Sequence, residues 1–423
     1  MGSRLPATIR DAGMWVRRFA ATTPGVIAVV LVVTTVACLI AGSTAGQQLG
    51  AKITRADQVL DRTEPLAFAA QSLYVSLSAA DAGAATAFLS GGVESPQVRD
   101  SYEQALADAA AALAEATAGA TDARSRAIVA RIAADLPTYT GLVETARANN
   151  RQGFPVGSAY LRQASDLMQT SLLPQAEQLN QARFAAVRED QRRIGALPMT
   201  TIVLLLLVLL ACAVGSVLLL RRTNRLVNAG VALAAAAALL AIVWSAGATL
   251  TAAQLLDTGD AGAGARVENL AGARILAQQA RTDETLALIT RGDITAPEAA
   301  FQTHTVDLEK RLAAAGAADS EAARALTNWT AGHNAQRTAY EKADYAGAVT
   351  QAIGTAPDSS ATSFARLDHE LRDALAQARA DLRDGVDAAG DTFTLSPFGT
   401  LLLLLAAAGA VVTGLWPRIK EFL

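Results

Sequence analysis

Cysteine is nearly missing from this 423-residue chain: there are two, Cys38 and Cys212. Both fall inside strongly apolar stretches, so the polar parts cannot be stapled by disulfides and must stand on packing alone. Histidine is almost as scarce, with three residues, His304, His333 and His369, too dispersed to nominate a metal site. They read as solvated or packed helix residues. Catalytic signatures are absent too: no G-x-x-x-x-G-K, no H-E-x-x-H, no G-x-S-x-G and no paired-cysteine motif. The expectation is a protein that is not an enzyme and has no cofactor. A formal net charge of −3 supplies no basic face for nucleic acid.

Charge is also absent from four long runs. They are Pro24 to about Ala45, Leu197 to Leu220, Leu226 to Leu250, and Phe398 to Trp416, none with Asp, Glu, Lys, Arg or His. A bilayer needs about 20 apolar residues per helical span, and soluble core helices are rarely so long and uncharged. Four membrane spans are expected. The lack of ionisable groups within them argues against a pump or secondary transporter, which usually needs one, and leaves a plain channel open.

Orientation follows from Lys/Arg in short segments. Arg4, Arg10, Arg17 and Arg18 precede the first span, Arg221, Arg222 and Arg225 fill the turn between the second and third, and Arg418 and Lys420 follow the fourth. Both termini and the turn are therefore expected in the cytoplasm, with the chain in the cytoplasmic membrane. The loops at about 46–196 and 251–397 are expected outside. Residues 1–23 can form a basic amphipathic helix with Trp15 at the interface, a topological anchor or a docking surface.

Each outer loop reads as four helices. In the first, Pro65 is an expected local kink or break, Ser95 and Pro96 open the second helix, and "TDAR" (Thr121 to Arg124) opens the third. "NNRQGFPVGS" then breaks the chain before a fourth helix, interrupted at Pro174, that runs into the second span. In the second loop a long helix is expected from about Thr251 to Thr290. Thr295 with Glu298 forms a capping-box pattern, "DSEAAR" opens the third helix, and "DYAGAVTQAIGTAPDSS" breaks the chain before a last helix entering the fourth span. Matching lengths and turn placement suggest an internal duplication, with "AATAFLSGG" against "ETLALITRG". The expected fold is all-α: four transmembrane helices and two periplasmic antiparallel four-helix bundles in tandem. Such bundles are the layout of chemoreceptor input domains, which work as dimers. One chain carrying two could form a pseudo-dimer, and a homodimer stays open.

The candidate contact residues lie at the expected distal turns: Arg147, Arg151 and Phe154 in the first copy, Arg291 and Asp293 in the second. Arginine forks bind carboxylates, so these turns suit an acidic amino acid or a partner's surface, against the plainer reading of solvated loops. The candidate output face is Arg221, Arg222, Arg225, Arg418 and Lys420. Small residues four apart recur in the spans, at Ala37/Ala41, Ala211/Gly215, Gly230/Ala234 and Ala410/Gly414. They read equally as close helix packing or as general Ala/Gly abundance.

The order span, bundle, span, Arg-rich turn, span, bundle, span, with "FLSGG", "ITRGD", "DYAGAV" and the tail "GLWPRIKEFL", resembles the GlnX-like membrane proteins of actinobacteria. The resemblance implies a partner in a periplasmic solute-binding lipoprotein of the glutamine-binding type that senses aspartate or glutamate. It also implies a relay to a cytosolic Ser/Thr kinase, PknG. It transfers no individual functional residues. The rival from another class is a structural or accessory subunit of a transporter or envelope complex.

Overall fold

The computed structural model describes residues 22–91, 96–223, 228–257, 259, 262–290 and 292–420. Among them the ordered elements are all helical. In chain order they are α1 (Thr23–Gln58), a π turn (Val59–Thr63), α2 (Glu64–Leu89), α3 (Pro96–Ala118), α4 (Ala123–Arg151) and α5 (Gly157–Leu167). A second π turn (Met168–Leu172), α6 (Leu173–Gly195), α7 (Met199–Thr223), α8 (Ala229–Leu256) and α9 (Ala263–Thr290) follow. The chain closes with α10 (Thr295–Ala314), α11 (Glu321–Glu341), α12 (Tyr345–Ile353), α13 (Ser360–Asp391) and α14 (Ser396–Lys420). Four helical stretches are long and apolar enough to cross a membrane. Among the described residues the expected all-α class holds, with four candidate membrane-spanning helices.

The chain divides into two compact units. One comprises residues 1–57, 192–255 and 387–423, the other 58–191 and 256–386. The first unit is built from the apolar helices. Cys38, Ala41, Leu205, Cys212, Ala234, Leu404 and Val411 form its buried seam, while Val33, Leu206, Leu240 and Leu402 point outward. An apolar exterior on an apolar bundle is what hydrocarbon solvent requires. The small residues are used for close approach. A Cβ on Gly230 would lie 2.2 Å from the Ala410 carbonyl oxygen, and one on Gly414 would lie 2.9 Å from Gly230 Cα. Asn228 pins the same crossing, accepting from Gly230 N–H at 3.0 Å and donating to Gly414 O at 3.2 Å. At this crossing close packing, rather than composition, explains the pattern. In the same unit the buried Lys52 ammonium donates to Ile194 O at 2.6 Å and Ala196 O at 2.5 Å, completing the carbonyl end of a helix with a cation.

In the other unit α2 packs against α3 and α9, α9 against α10, α4 against α5, and α11 against α12. The main core joins Leu73, Leu77, Ile132, Tyr139, Leu161 and Met168 with Ile275 and Ile289 of α9. Helix starts follow local chemistry. Asp122 accepts from Ser125 N–H at 2.8 Å to open α4, and Ser320 accepts from Ala323 N–H at 3.3 Å to open α11. Pro96 is the first residue of α3. Its proposed cap, Ser95, lies outside the described residues.

Several sequence expectations are corrected. Pro65 and Pro174 do not break their helices. Each is the second residue after a π turn, where Glu64 N–H reaches back to Val59 O and Leu173 N–H to Met168 O. One surplus residue in the turn spares the chain the clash a proline makes in a regular helix. The long helix from Thr251 to Thr290 is interrupted. α8 ends at Leu256, Asp257 has φ +35°, and α9 begins at Ala263. The fourth helices do run on into the apolar stretches, as Gly157–Arg221 and Ser360–Pro417, with only short turns at 196–198 and 392–395. The stretch read as a break before the last helix contains α12. Thr295 is not an N-cap: it is the first helical residue, and Asp293 accepts from its N–H at 2.9 Å. Glu298 is committed elsewhere.

Candidate functional site

Three turns of the two-half unit meet around one cleft. α4 closes on Gly153, whose φ of +73° lets Phe154 N–H return to Asn149 O at 2.9 Å. The Asn150 amide then ties this turn to the end of α2, donating to Phe88 O at 3.1 Å. On the second half, Tyr345 O–H donates to Leu288 O at 2.9 Å and so holds the start of α12 against the end of α9. The cleft enclosed measures about 690 Å³ and is lined by Phe88, Phe154, Arg162, Ile289, Tyr345 and Val349, among others. Phe154 is 53% exposed and nearby Val156 is 47% exposed.

The sequence-nominated residues are distributed unevenly about this cleft. Phe154 lines it. Arg151, the exposed last residue of α4, is not among its walls. Arg147 is turned inward: its guanidinium pairs with Glu144 at 2.6 Å and lies over the Tyr102 ring at 5.5 Å. It packs α4 on α3 and presents no open fork. Asp293 is exposed, and the Thr295 hydrogen bonds hold its carboxyl below the usual range. Arg291 lies outside the described residues. Arg162 was missed. It is an ordinary polar position of α5, and only the fold brings it to the cleft.

Beneath the second-half turns lies a buried ionic cluster. The Glu284 carboxylate accepts from Arg281, from the Ser360 hydroxyl and from Trp329 Nε1 (3.3 Å), and faces His333 Nδ1 at 3.1 Å. The other ring nitrogen of His333 faces Glu298 at 2.9 Å, and Arg337 reaches the same Glu298 at 3.2 Å. A histidine with a carboxylate at each nitrogen can satisfy both only as the doubly protonated imidazolium. Burial pulls the His333 pKa down, but the hydrogen bonds and charges of Glu284 and Glu298 prevail and raise it. Burial pushes Glu284 up, yet Arg281 and His333 hold it below its ordinary value. Phe301 stacks on the imidazole at 3.6 Å. His333 is thus a packed histidine, as expected of its helix, but a charged one.

The first half buries a carboxylate without a cation. Asp81 accepts from Ser165 at 2.9 Å, Tyr139 at 3.3 Å and Gln169 at 3.3 Å. Three neutral donors do not offset full burial, which pushes its pKa up to about 6.

A third polar group braces the halves at the first π turn. Glu64, nearly buried, accepts from Arg379 at 2.6 Å and Arg383 at 2.9 Å, and the Arg379 guanidinium lies 3.6 Å over the Phe68 ring. The π turn takes Glu64 N–H away from Leu60 O, and Arg383 donates to that released carbonyl at 3.0 Å. None of these side chains was singled out in the sequence, because their partners lie on remote helices.

Of the candidate output residues, Arg221 is exposed near the end of α7, Arg222 follows it, and Arg418 and Lys420 lie in the last turn of α14. Lys420 sits 6.0 Å over the Trp416 ring. Arg225 lies outside the described residues.

No curated protein and no solved structure matches this chain. Residues 55–192, which span the first π turn through α6, match the family model of an actinobacterial sensor domain. That match, with four apolar helices, supports a membrane-associated actinobacterial sensor protein with a sensing or signalling role.

Proposed function

We propose that this protein is a transmembrane relay. It reports extracytoplasmic aspartate or glutamate through a periplasmic solute-binding lipoprotein of the glutamine-binding type and passes the state to a cytosolic Ser/Thr kinase. In this reading it is not an enzyme. The chain lies in the cytoplasmic membrane with both termini and the 221–225 turn inside, and the two helical halves act as paired bundles. The observation that carries the reading is the cleft in which turns of both halves meet, with Phe154 exposed beside Arg162 and Tyr345. A partner docking there touches both halves at once, so its binding energy differs between their relative arrangements. Such a difference is what a relay requires. In this reading the exposed Arg151 and Asp293 are further candidate contacts for the partner, and Arg221, Arg222, Arg418 and Lys420, with Arg225 of the same turn in sequence, are the candidate residues that the kinase reads.

The test is affinity capture of the tagged protein from native membranes, with and without added glutamate and aspartate, followed by mass spectrometry. Recovery of a solute-binding lipoprotein that varies with the amino acid, and is lost in Phe154→Ser with Arg162→Glu, supports the relay. Recovery of permease or envelope subunits alone, indifferent to amino acids and to these substitutions, leaves an accessory subunit in its place.

A further inference from the structure

A second cavity lies away from the turns, in the groove where α6 faces α9 and α10. It measures about 850 Å³, within the size range of small-molecule sites. Its walls carry Glu177, Glu268 and Asp307 against Arg188, Lys310 and Arg311, so their formal charges cancel. Two of its polar atoms have no hydrogen-bond partner. One is Asn180 Oδ1, on a side chain 6% exposed; the other is Glu177 Oε2 one helical turn away, on a carboxylate that burial raises in pKa while hydrogen bonds from Gln181 and Asn180 partly offset it. Both atoms are acceptors. A buried acceptor left unmatched is unfavourable, more so when it carries charge. The group that satisfies a buried carboxylate oxygen and an amide oxygen together is a compact cation with several N–H donors, an ammonium. On the opposite wall, Arg311 is exposed, with one nitrogen engaged by Asn269 at 3.1 Å. Gly272 opens the floor beneath it, since even a Cβ there would touch the guanidinium at 3.5 Å.

We propose that this groove binds a small zwitterion of the amino-acid class, with its ammonium against Glu177 and Asn180 and its carboxylate toward Arg311. The balanced charge of the walls favours a neutral-net ligand over a polyamine or a dicarboxylate. Gln181, exposed and donating to Glu177 Oε1 at 2.7 Å, swings aside to admit the ammonium. The site needs no docking protein, so it stands apart from the relay reading of the turns.

Isothermal titration calorimetry on the full chain in nanodiscs tests it, using the common L-amino acids and then the N-acetyl and methyl-ester forms of any that bind. The expected result is saturable binding of at least one. N-acetylation, Glu177→Gln and Asn180→Leu should each weaken it about ten- to a hundredfold. The exposed Arg311→Gln, which removes no buried contact, should weaken it together with the methyl ester. Phe154→Ser at the other cleft should leave it unchanged. Absence of heat with every common amino acid overturns the proposal. So does binding that tolerates N-acetylation, or that Glu177→Gln and Arg311→Gln do not alter.

Discussion

Replacing Asp81 by asparagine should stabilise this protein at neutral pH. The side chain is 2% exposed, and its carboxylate meets hydroxyls and an amide but no cation. Burial raises its pKa from the ordinary 3.8 to about 6, so the folded state holds the proton more tightly than the unfolded chain. For such a group the favourable contribution is complete below about pH 3.8 and is lost as pH rises through about 6. The full difference is about 3 kcal/mol at 1.36 kcal/mol per pKa unit. Asparagine mimics the protonated acid, and the Ser165 and Tyr139 hydroxyls can reverse their roles to accept from its amide. The variant and the parent should therefore melt together near pH 4. They should diverge as pH rises, with the variant higher by roughly 6–12 °C above pH 7. Thermal unfolding in nanodiscs from about pH 4 to about pH 8 reads this directly. A variant less stable than the parent at pH 8, or a gap that ignores pH, would refute the reasoning and make the Asp81 charge a net stabiliser.

Other substitutions probe the remaining contacts. His333→Gln removes the cation between Glu284 and Glu298, and should cost about 3 kcal/mol or more in chemical unfolding. In the parent, the contribution of His333 is present below its ordinary pKa and falls as pH rises through the raised value, and the variant should lack that alkaline fall. Gly230→Ala places a methyl where the Ala410 carbonyl sits, so α8 and α14 must part. The expected loss is about 1–3 kcal/mol, seen as a lower melting temperature in detergent. Glu64→Gln should weaken the hold of Arg379 and Arg383 and speed amide hydrogen exchange through Val59–Thr63, and unchanged protection there would show that the π turn is held by other means.

The spans were legible because an uncharged run of that length has few other homes. The helix starts at Asp122 and Ser320 were legible because their chemistry is local. What was not legible depended on remote partners. Whether Pro65 breaks a helix depends on what the released Leu60 carbonyl meets, and the answer, Arg383, is 323 residues away. Glu298 sits at the right spacing for a capping box but is drawn to His333, 35 residues on. The cleft could not be read from the arginines at the turns, since Arg147 found an aromatic face and a carboxylate beside it. By contrast the interruption after Leu256 carried a local signal, "DTGDAG", whose glycines and aspartates outweigh the helical periodicity on either side.

The π turns also bear on mechanics. The chain is helical without a lapse from Pro24 to Leu89, 66 residues. A continuous hydrogen-bonded rod resists bending and twisting except where its ladder changes register, and this one changes register at Val59–Thr63. That collar is where Arg379 and Arg383 take hold, through Glu64 and the Leu60 carbonyl, so the softest point of the helix is also the one a remote helix grips.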